Sequence, residues 1–443
     1  MKKIICLSLI LLLLLAGCRK SSSDISSNVA DTVVSETESK EEQTVSSFTE
    51  VSSAQTVTSS VAAPPVVSTP SIATPPLKQE VQEIKNGNLG INGGIWLSFL
   101  EINDFLSSKK GFKTEFKKVI NDMKSLGITD LYFHIRSHCD SVVKSDFFPQ
   151  TEKSAGVNFD ILQYAIDLCH KEGIRIHGWI NPYRVTASHS DVAKLPQNSP
   201  AVKWLNESKT QNVVVMNGIY LNPAELEARK LIVDGVRELI NKYSLDGIHF
   251  DDYFYPTTDP KFDELSYTTY KNGKKNPLSL EEWRRANVDL LISDTKTAIN
   301  FSGKKLIFSV SPAANITKNY NDSYADVKGW AEKGYIDEVI PQIYFGFKHT
   351  DPKFNFDSLL KEWTDLVANS KVTLRIGLAP YKIGTESKTD GTEWMENTDI
   401  LSRQVKLCRE NTRVSGVVFY SYSTLFSDKE NNKAERENLL QTS

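Results

Sequence analysis

The run Leu245-Asp246-Gly247-Ile248-His249-Phe250-Asp251-Asp252-Tyr253-Phe254-Tyr255-Pro256 sets two carboxyls side by side, with a histidine just before them and phenols just after. Adjacent acids are poor for stability, because each ionised group disfavours the charge of the other. The same repulsion suits acid/base chemistry: it raises one pKa, so that one carboxyl keeps a proton while its neighbour is ionised. Cleavage of a glycosidic bond needs such a pair, one group protonating the leaving oxygen and the other acting as base or nucleophile. The candidate catalytic residues are Asp251 and Asp252, with His249 and Tyr253 as candidate substrate contacts.

A second run, Arg175-Ile176-His177-Gly178-Trp179-Ile180-Asn181-Pro182-Tyr183-Arg184, adds to them. With a side-chain period of two, His177, Trp179 and Asn181 share one face, and Tyr183 and Arg184 follow at its end. An aromatic ring offers a flat apolar face to a pyranose, and amide and guanidinium groups donate to hydroxyl or acetamido oxygens. In a third run Tyr132, His134 and Arg136 share a face; Arg136 is placed to hold a carboxylate of the Asp251 strand in its charged form, and Asp140 is a reserve acid. Gln342 and Tyr344 form a further inward pair, and Tyr381, Tyr420 and Tyr422 mark other strand ends. Asp337 and Glu338 precede their strand and are set aside. Asp251 with His177 and His249 could ligate zinc in a deacetylase, although no close ligand pair sits on one element. The same rings and amides could also hold a glycan without cleaving it. No metal and no cofactor is expected.

Chemistry at these positions requires strands that bring their C-terminal ends together. Strand-like runs at 94–99, 130–136, 175–181, 247–252, 306–311, 339–345, 373–380 and 416–422 alternate with helical patterns, clearest at 159–170 and 225–243. Gly127 and Gly173 fall where helices should stop in the left-handed conformation. Eight such units, with no glycine-rich phosphate-binding fingerprint, predict a (β/α)8 TIM barrel rather than an open doubly wound sheet. In such a barrel the chemistry lies at the C-terminal face.

The N-terminus reads as an address. Lys2 and Lys3 precede an apolar run at 4–15, too short to span a bilayer, that ends Leu15-Ala16-Gly17-Cys18. This resembles the bacterial lipobox, so 1–17 is expected to be a lipoprotein signal peptide and Cys18 the lipidated residue. Residues 18–85, rich in Ser, Thr and Pro, are expected to form a disordered tether, and 86–443 the barrel domain. A monomer in the cell envelope follows, attached to the membrane by lipid alone and facing the cell wall. Lys+Arg 52 against Asp+Glu 55 leaves a formal charge of −3, which argues against a nucleic-acid partner. Cys139, Cys169 and Cys408 have no metal-ligand spacing and are expected to be buried free thiols.

The Asp246 to Pro256 string resembles the signature of the bacterial glycosyl hydrolase-like family 10. Supporting matches run from Gly94-Ile-Trp-Leu-Ser98 through His177-Gly-Trp-Ile-Asn-Pro-Tyr-Arg184, Tyr220-Leu-Asn-Pro223, Ser309-Val-Ser-Pro312 and Pro341-Gln-Ile-Tyr344 to Gly377-Leu-Ala-Pro-Tyr-Lys-Ile-Gly384. The resemblance implies a (β/α)8 barrel in an envelope lipoprotein that cleaves peptidoglycan glycan strands stripped of stem peptides. Arg136-Ser137-His138-Cys139-Asp140 departs from the family pattern in its middle residues while keeping Arg136 and Asp140. The fourth strand also looks distantly like the chitinase signature. In that alignment Asp246 and Asp251 match, while Tyr253 stands at the proton donor's place, where a phenol of pKa about 10 cannot serve at neutral pH.

Overall fold

The computed structural model describes residues 89–441. The expected leader, the tether, Cys18 and residues 86–88 lie outside the described residues. Eight parallel strands form a closed barrel: β1 (Asn92–Leu97), β2 (Ile128–Arg136), β3 (Arg175–Ile180), β4 (Gly247–Phe250), β5 (Ile307–Val310), β6 (Glu338–Val339), β7 (Thr373–Leu378) and β8 (Val414–Phe419). Strand β1 pairs with both β2 and β8 and so closes the ring. Each strand is followed by a principal helix: α1 (Lys109–Leu126), α2 (Ile161–Lys171), α3 (Leu226–Lys242), α4 (Leu280–Phe301), α5 (Val327–Lys333), α6 (Phe356–Val367), α7 (Ile400–Glu410) and α8 (Glu430–Gln441). This is the (β/α)8 barrel that the alternation predicted.

Local signals fix the helix ends. The Asp160 carboxylate accepts from the Leu162 and Gln163 amides and starts α2, and a reciprocal Ser279/Glu282 pair starts α4. Gly127, at φ 67°, stops α1 in the left-handed conformation that a glycine adopts without penalty. Cys139, Cys169 and Cys408 are buried and unpaired.

Two apolar regions follow from the strand alternation. Ile248 and Phe250 face outward into the shell between sheet and helices, whereas Trp96, Tyr132, Trp179, Ile340 and Val418 fill the barrel interior beneath Tyr420. The N-terminal end of the barrel is closed by charge. Asp130 accepts from Arg175, His177 and Arg375, and the Tyr132 hydroxyl donates to Glu338 at 2.8 Å. Glycines make the room: a Cβ at Gly94 or Gly416 would lie 2.8 Å from the Arg375 guanidinium, and one at Gly247 would lie 2.3 Å from His177 Nδ1.

Three local departures from ideal strands matter for the site. Strand β6 ends at Val339, earlier than its apolar run suggests, because Pro341 has no N–H to donate. Isolated bridges at Gln342 carry the sheet onward to Ala313 and Gly377. The pairing of β2 with β3 shifts between His134 and Arg136, so that Arg136 lies opposite Ile180, which packs in the outer shell. One extra residue reverses the face of everything after it. Finally, Arg184–Thr186 leaves the barrel and pairs with Ile219–Leu221, itself paired with Val213–Val215, in a small antiparallel sheet beside the mouth.

Candidate active site

Asp251 is the first residue after β4 and is almost wholly buried. Its Oδ2 accepts from Trp179 Nε1 at 3.0 Å and from Asn181 Nδ2 at 3.4 Å, and its Oδ1 accepts from the Tyr253 amide at 3.4 Å. Trp179 is held in turn by His134, whose ring stacks on it with centroids 3.6 Å apart and planes 12° from parallel. Burial pushes the Asp251 carboxyl up to about 7, and the neighbouring Asp252 charge adds to the rise. Asp252 is more open to solvent; burial raises it too, against a hydrogen bond from the Gln342 side chain that favours its ionised form. The pair is therefore split: near neutral pH Asp251 can carry a proton, beside an Asp252 that the Gln342 bond draws toward its ionised form.

Arg184 supplies the cation of the mouth. Its Nε and Nη2 donate to the Ser137 carbonyl at 3.3 and 3.1 Å, and its guanidinium lies 4.1 Å from the centre of the Tyr253 ring. Its charge favours ionisation of Asp251, Asp252 and Asp140. Asp140 accepts from the His138 amide at 3.2 Å, and burial lifts its carboxyl to about 6. Tyr253 is pushed up to about 12 by burial, so its hydroxyl is no proton donor for a glycosidic oxygen.

Aromatic rings line the far side. Tyr344 stacks on Tyr420 at 5.8 Å and 19°, and Tyr381 stands edge-on to both. Tyr344 lies close enough to Asp252, and Tyr420 to Asp251, for those charges to be felt at their hydroxyls. The mouth thus offers two carboxyls, a third in reserve, one guanidinium, amide groups and several ring faces, the set that cleavage of a sugar polymer would use.

The structure brings Asp251, Asp252, Trp179, Asn181, Arg184, Tyr253, Gln342, Tyr344 and Tyr381 to this end of the barrel. Four expected contacts lie elsewhere. Arg136 turns outward, 4.3 Å from the Phe148 ring and against α3 at Gly235, because of the β2 shift; Arg184 stands where Arg136 was expected. Tyr183 is 1 % exposed and faces the Arg229 and Asp294 side of the helical shell, since alternation along the small sheet points Arg184 the opposite way. His177 is bound to Asp130 at 2.9 Å and stacked on Tyr132 in the closed end. His249 lies in the layer below the acids. Its Nε2 accepts from Trp96 Nε1 at 3.0 Å, which places its own proton on Nδ1, facing Ser309 at 2.8 Å. Burial drives its pKa well down, so it is neutral. Both imidazoles are thereby occupied, and the set Asp251, His177 and His249 is not assembled around one point; among the described residues no group of three ligands is arranged for a metal. Tyr255, expected beside the acids, packs instead on Tyr324 and the Arg284 guanidinium. Trp96, the partner of His249, and His134, the support of Trp179, were not among the expected site residues; the inward parity of Trp96 in Gly94-Ile-Trp-Leu-Ser98 is the sequence signal for the first.

A closed (β/α)8 barrel with a split carboxyl pair and sugar-sized ring faces at its C-terminal mouth defines a glycoside hydrolase. The chain belongs to the Glycosyl hydrolase-like 10 family, whose model matches residues 92–396. It is 31% identical over 362 residues to glycosyl hydrolase YngK of Bacillus subtilis (strain 168), covering 75% of this chain and 68% of that one. It is 27% identical over 394 residues to glycosyl hydrolase DigH of Escherichia coli (strain K12), covering 82% and 87%. Among solved structures, the glycoside hydrolase domain of PgaB (BpsB) from Bordetella bronchiseptica aligns with a TM-score of 0.53 at 12% identity, over 79% of this chain and 99% of that one, a likeness of fold.

Proposed function

We propose that the protein cleaves the glycan strands of peptidoglycan, those stripped of stem peptides, from a lipid-anchored position in the cell envelope. The observation that carries this reading is the split pair, Asp251 raised to about 7 beside a more exposed Asp252, ringed by Trp179, Tyr253, Tyr344 and Tyr420. Asp251 protonates the leaving oxygen. Asp252 acts as the ionised partner, either activating water or orienting the substrate's acetamido group. Tyrosine faces take the apolar faces of the pyranose rings, burial and the Asp252 charge keep the proton on Asp251, and Gln342 favours the ionised form of Asp252. The lipobox-like Leu15-Ala16-Gly17-Cys18 and the 18–85 tether support a site of action beside the wall. The test is incubation of the full chain, purified in detergent, with amidase-denuded and intact sacculi, followed by mass analysis of soluble products. Peptide-free N-acetylglucosamine–N-acetylmuramic acid oligomers from the denuded sacculi are expected. Retention on denuded sacculi without new reducing ends would instead identify a glycan-binding protein.

A further inference from the structure

Two buried guanidiniums of the barrel are held in ion pairs. Arg375 is ion-paired to Asp130 at 3.2 Å and Arg284 to Asp263 at 2.6 Å. Arg184 forms no ion pair among the described residues, although it is half-buried and faces three acids at the mouth. Of the five N–H bonds of a guanidinium, the one on Nε and one on Nη2 are spent on the Ser137 carbonyl, which leaves three, among them the end-on pair with one N–H on each Nη. The Tyr253 ring covers one face and fixes the plane. Two parallel N–H bonds on a fixed plane match one carboxylate.

A carboxylate is what the mouth otherwise repels. The acids of the mouth, Asp140 and Asp252 foremost, disfavour a further negative charge, and the other candidate cations are engaged elsewhere: Lys382 is buried against Asp390 at 2.8 Å, and Arg136 faces the helical shell. A neutral sugar polymer would need no cation here. We propose that Arg184 binds the carboxylate that N-acetylmuramic acid carries on its 3-O-lactyl ether, and that this contact selects glycan strands without stem peptides. The assignment rests on the glycosidase reading above and deepens it. The lactyl group sits on C3, next to the C4 oxygen of the glycosidic link, so its carboxylate is carried within a few bonds of the reacting centre. In a strand that bears stem peptides the same carboxyl is an amide, neutral and extended by a peptide, and offers no charge for Arg184 to pair.

The experiment compares stem-free strands with strands whose lactyl carboxyls have been reduced to alcohols, using the full chain and two readouts, kcat/KM from released reducing ends and affinity from tryptophan fluorescence. The wild-type protein is expected to favour the carboxylate strand about 10- to 100-fold, mostly in KM. In Arg184→Gln that ratio falls to about 1, whatever the variant's absolute rate, and Arg184→Lys, a cation without the fork, lies between. Equal kcat/KM and affinity of the wild-type protein for both strands would overturn the assignment while leaving the glycosidase reading intact. A wild-type ratio retained by Arg184→Gln would overturn it as well. Tight, Arg184-dependent binding of the carboxylate strand without cleavage would support the assignment and remove the glycosidase reading.

Discussion

Replacing Asp251 by Asn should make the protein inactive and, above neutral pH, more stable. The carboxyl ionises near 3.8 in an unfolded chain and at about 7 in the fold. Between those values the native state holds a proton that the unfolded state has lost, so stability falls as pH rises through this window. Above pH 7 the whole penalty is present, and below pH 4 it is absent. Three pH units at about 1.36 kcal/mol each give about 4 kcal/mol. Asn keeps an oxygen for Trp179 Nε1 but presents an amide to the Tyr253 N–H, losing a long hydrogen bond (3.4 Å) that contributes about 1 kcal/mol. The net gain at pH 8 is about 3 kcal/mol. With an unfolding entropy of about 2.1 cal/mol/K per residue over about 350 residues, that is a rise of about 4 °C in Tm. At pH 4 the gain vanishes and the variant melts a degree or two below the wild type. Calorimetric scans of both proteins at pH 8 and pH 4 measure the difference, and kcat on denuded strands should fall by about 100-fold or more. A variant that melts below the wild type at pH 8 by as much as at pH 4 would refute the claim that Asp251 is an uncompensated buried carboxyl.

Asp252→Asn should lower kcat by about 10²- to 10⁴-fold with little change in Tm, and release of glycan fragments at the wild-type rate would remove it from the catalytic pair. Gln342→Leu withdraws the hydrogen bond that favours ionised Asp252, so the acid limb of the kcat/KM profile should move to higher pH; an unmoved limb would show that Gln342 does not touch the titrating group. Asp130→Ala strands Arg175, Arg375 and His177 in the closed end and should cost about 3–5 kcal/mol in urea unfolding, while kcat per folded molecule is unchanged. Gly235→Ala would set a Cβ 2.5 Å from Arg136 Nη1 and from the Phe148 ring, a crowding that should cost about 1–3 kcal/mol by the same assay.

The barrel was legible because each unit announces itself twice, by an apolar run and by the helical pattern after it, and errors in one unit do not propagate to the next. Asp251 was legible for the same reason: two-residue alternation from Ile248 and Phe250 leaves His249 and Asp251 only the interior. The failures all lie where that period breaks. Arg136 follows a register shift that no composition signals, and Tyr183 leads into a strand that leaves the barrel to join a local sheet. The histidines failed differently. Their direction was right, but depth inside a barrel is set by stagger between neighbouring strands, which one strand's sequence does not contain. So His177 came to rest on Asp130 and His249 beneath the acids.

That depth ordering bears on how the acid pair works. From the closed end upward the interior holds a compensated charge cluster, with Asp130 and Glu338 against Arg175 and Arg375, then an uncharged layer of Trp96, neutral His249, Ser309 and Ser311, then the carboxyls. A charged imidazole directly below Asp251 would favour the carboxylate and draw its pKa back toward that of an ordinary acid. The indole of Trp96 prevents this: it can only donate, so it holds His249 Nε2 unprotonated and the ring uncharged. With no cation beneath and only Arg184 beside it, the state of Asp251 is set by burial and by Asp252. Any charge or substrate group that reaches Asp252 from the open side must therefore change the proton affinity of Asp251 as well.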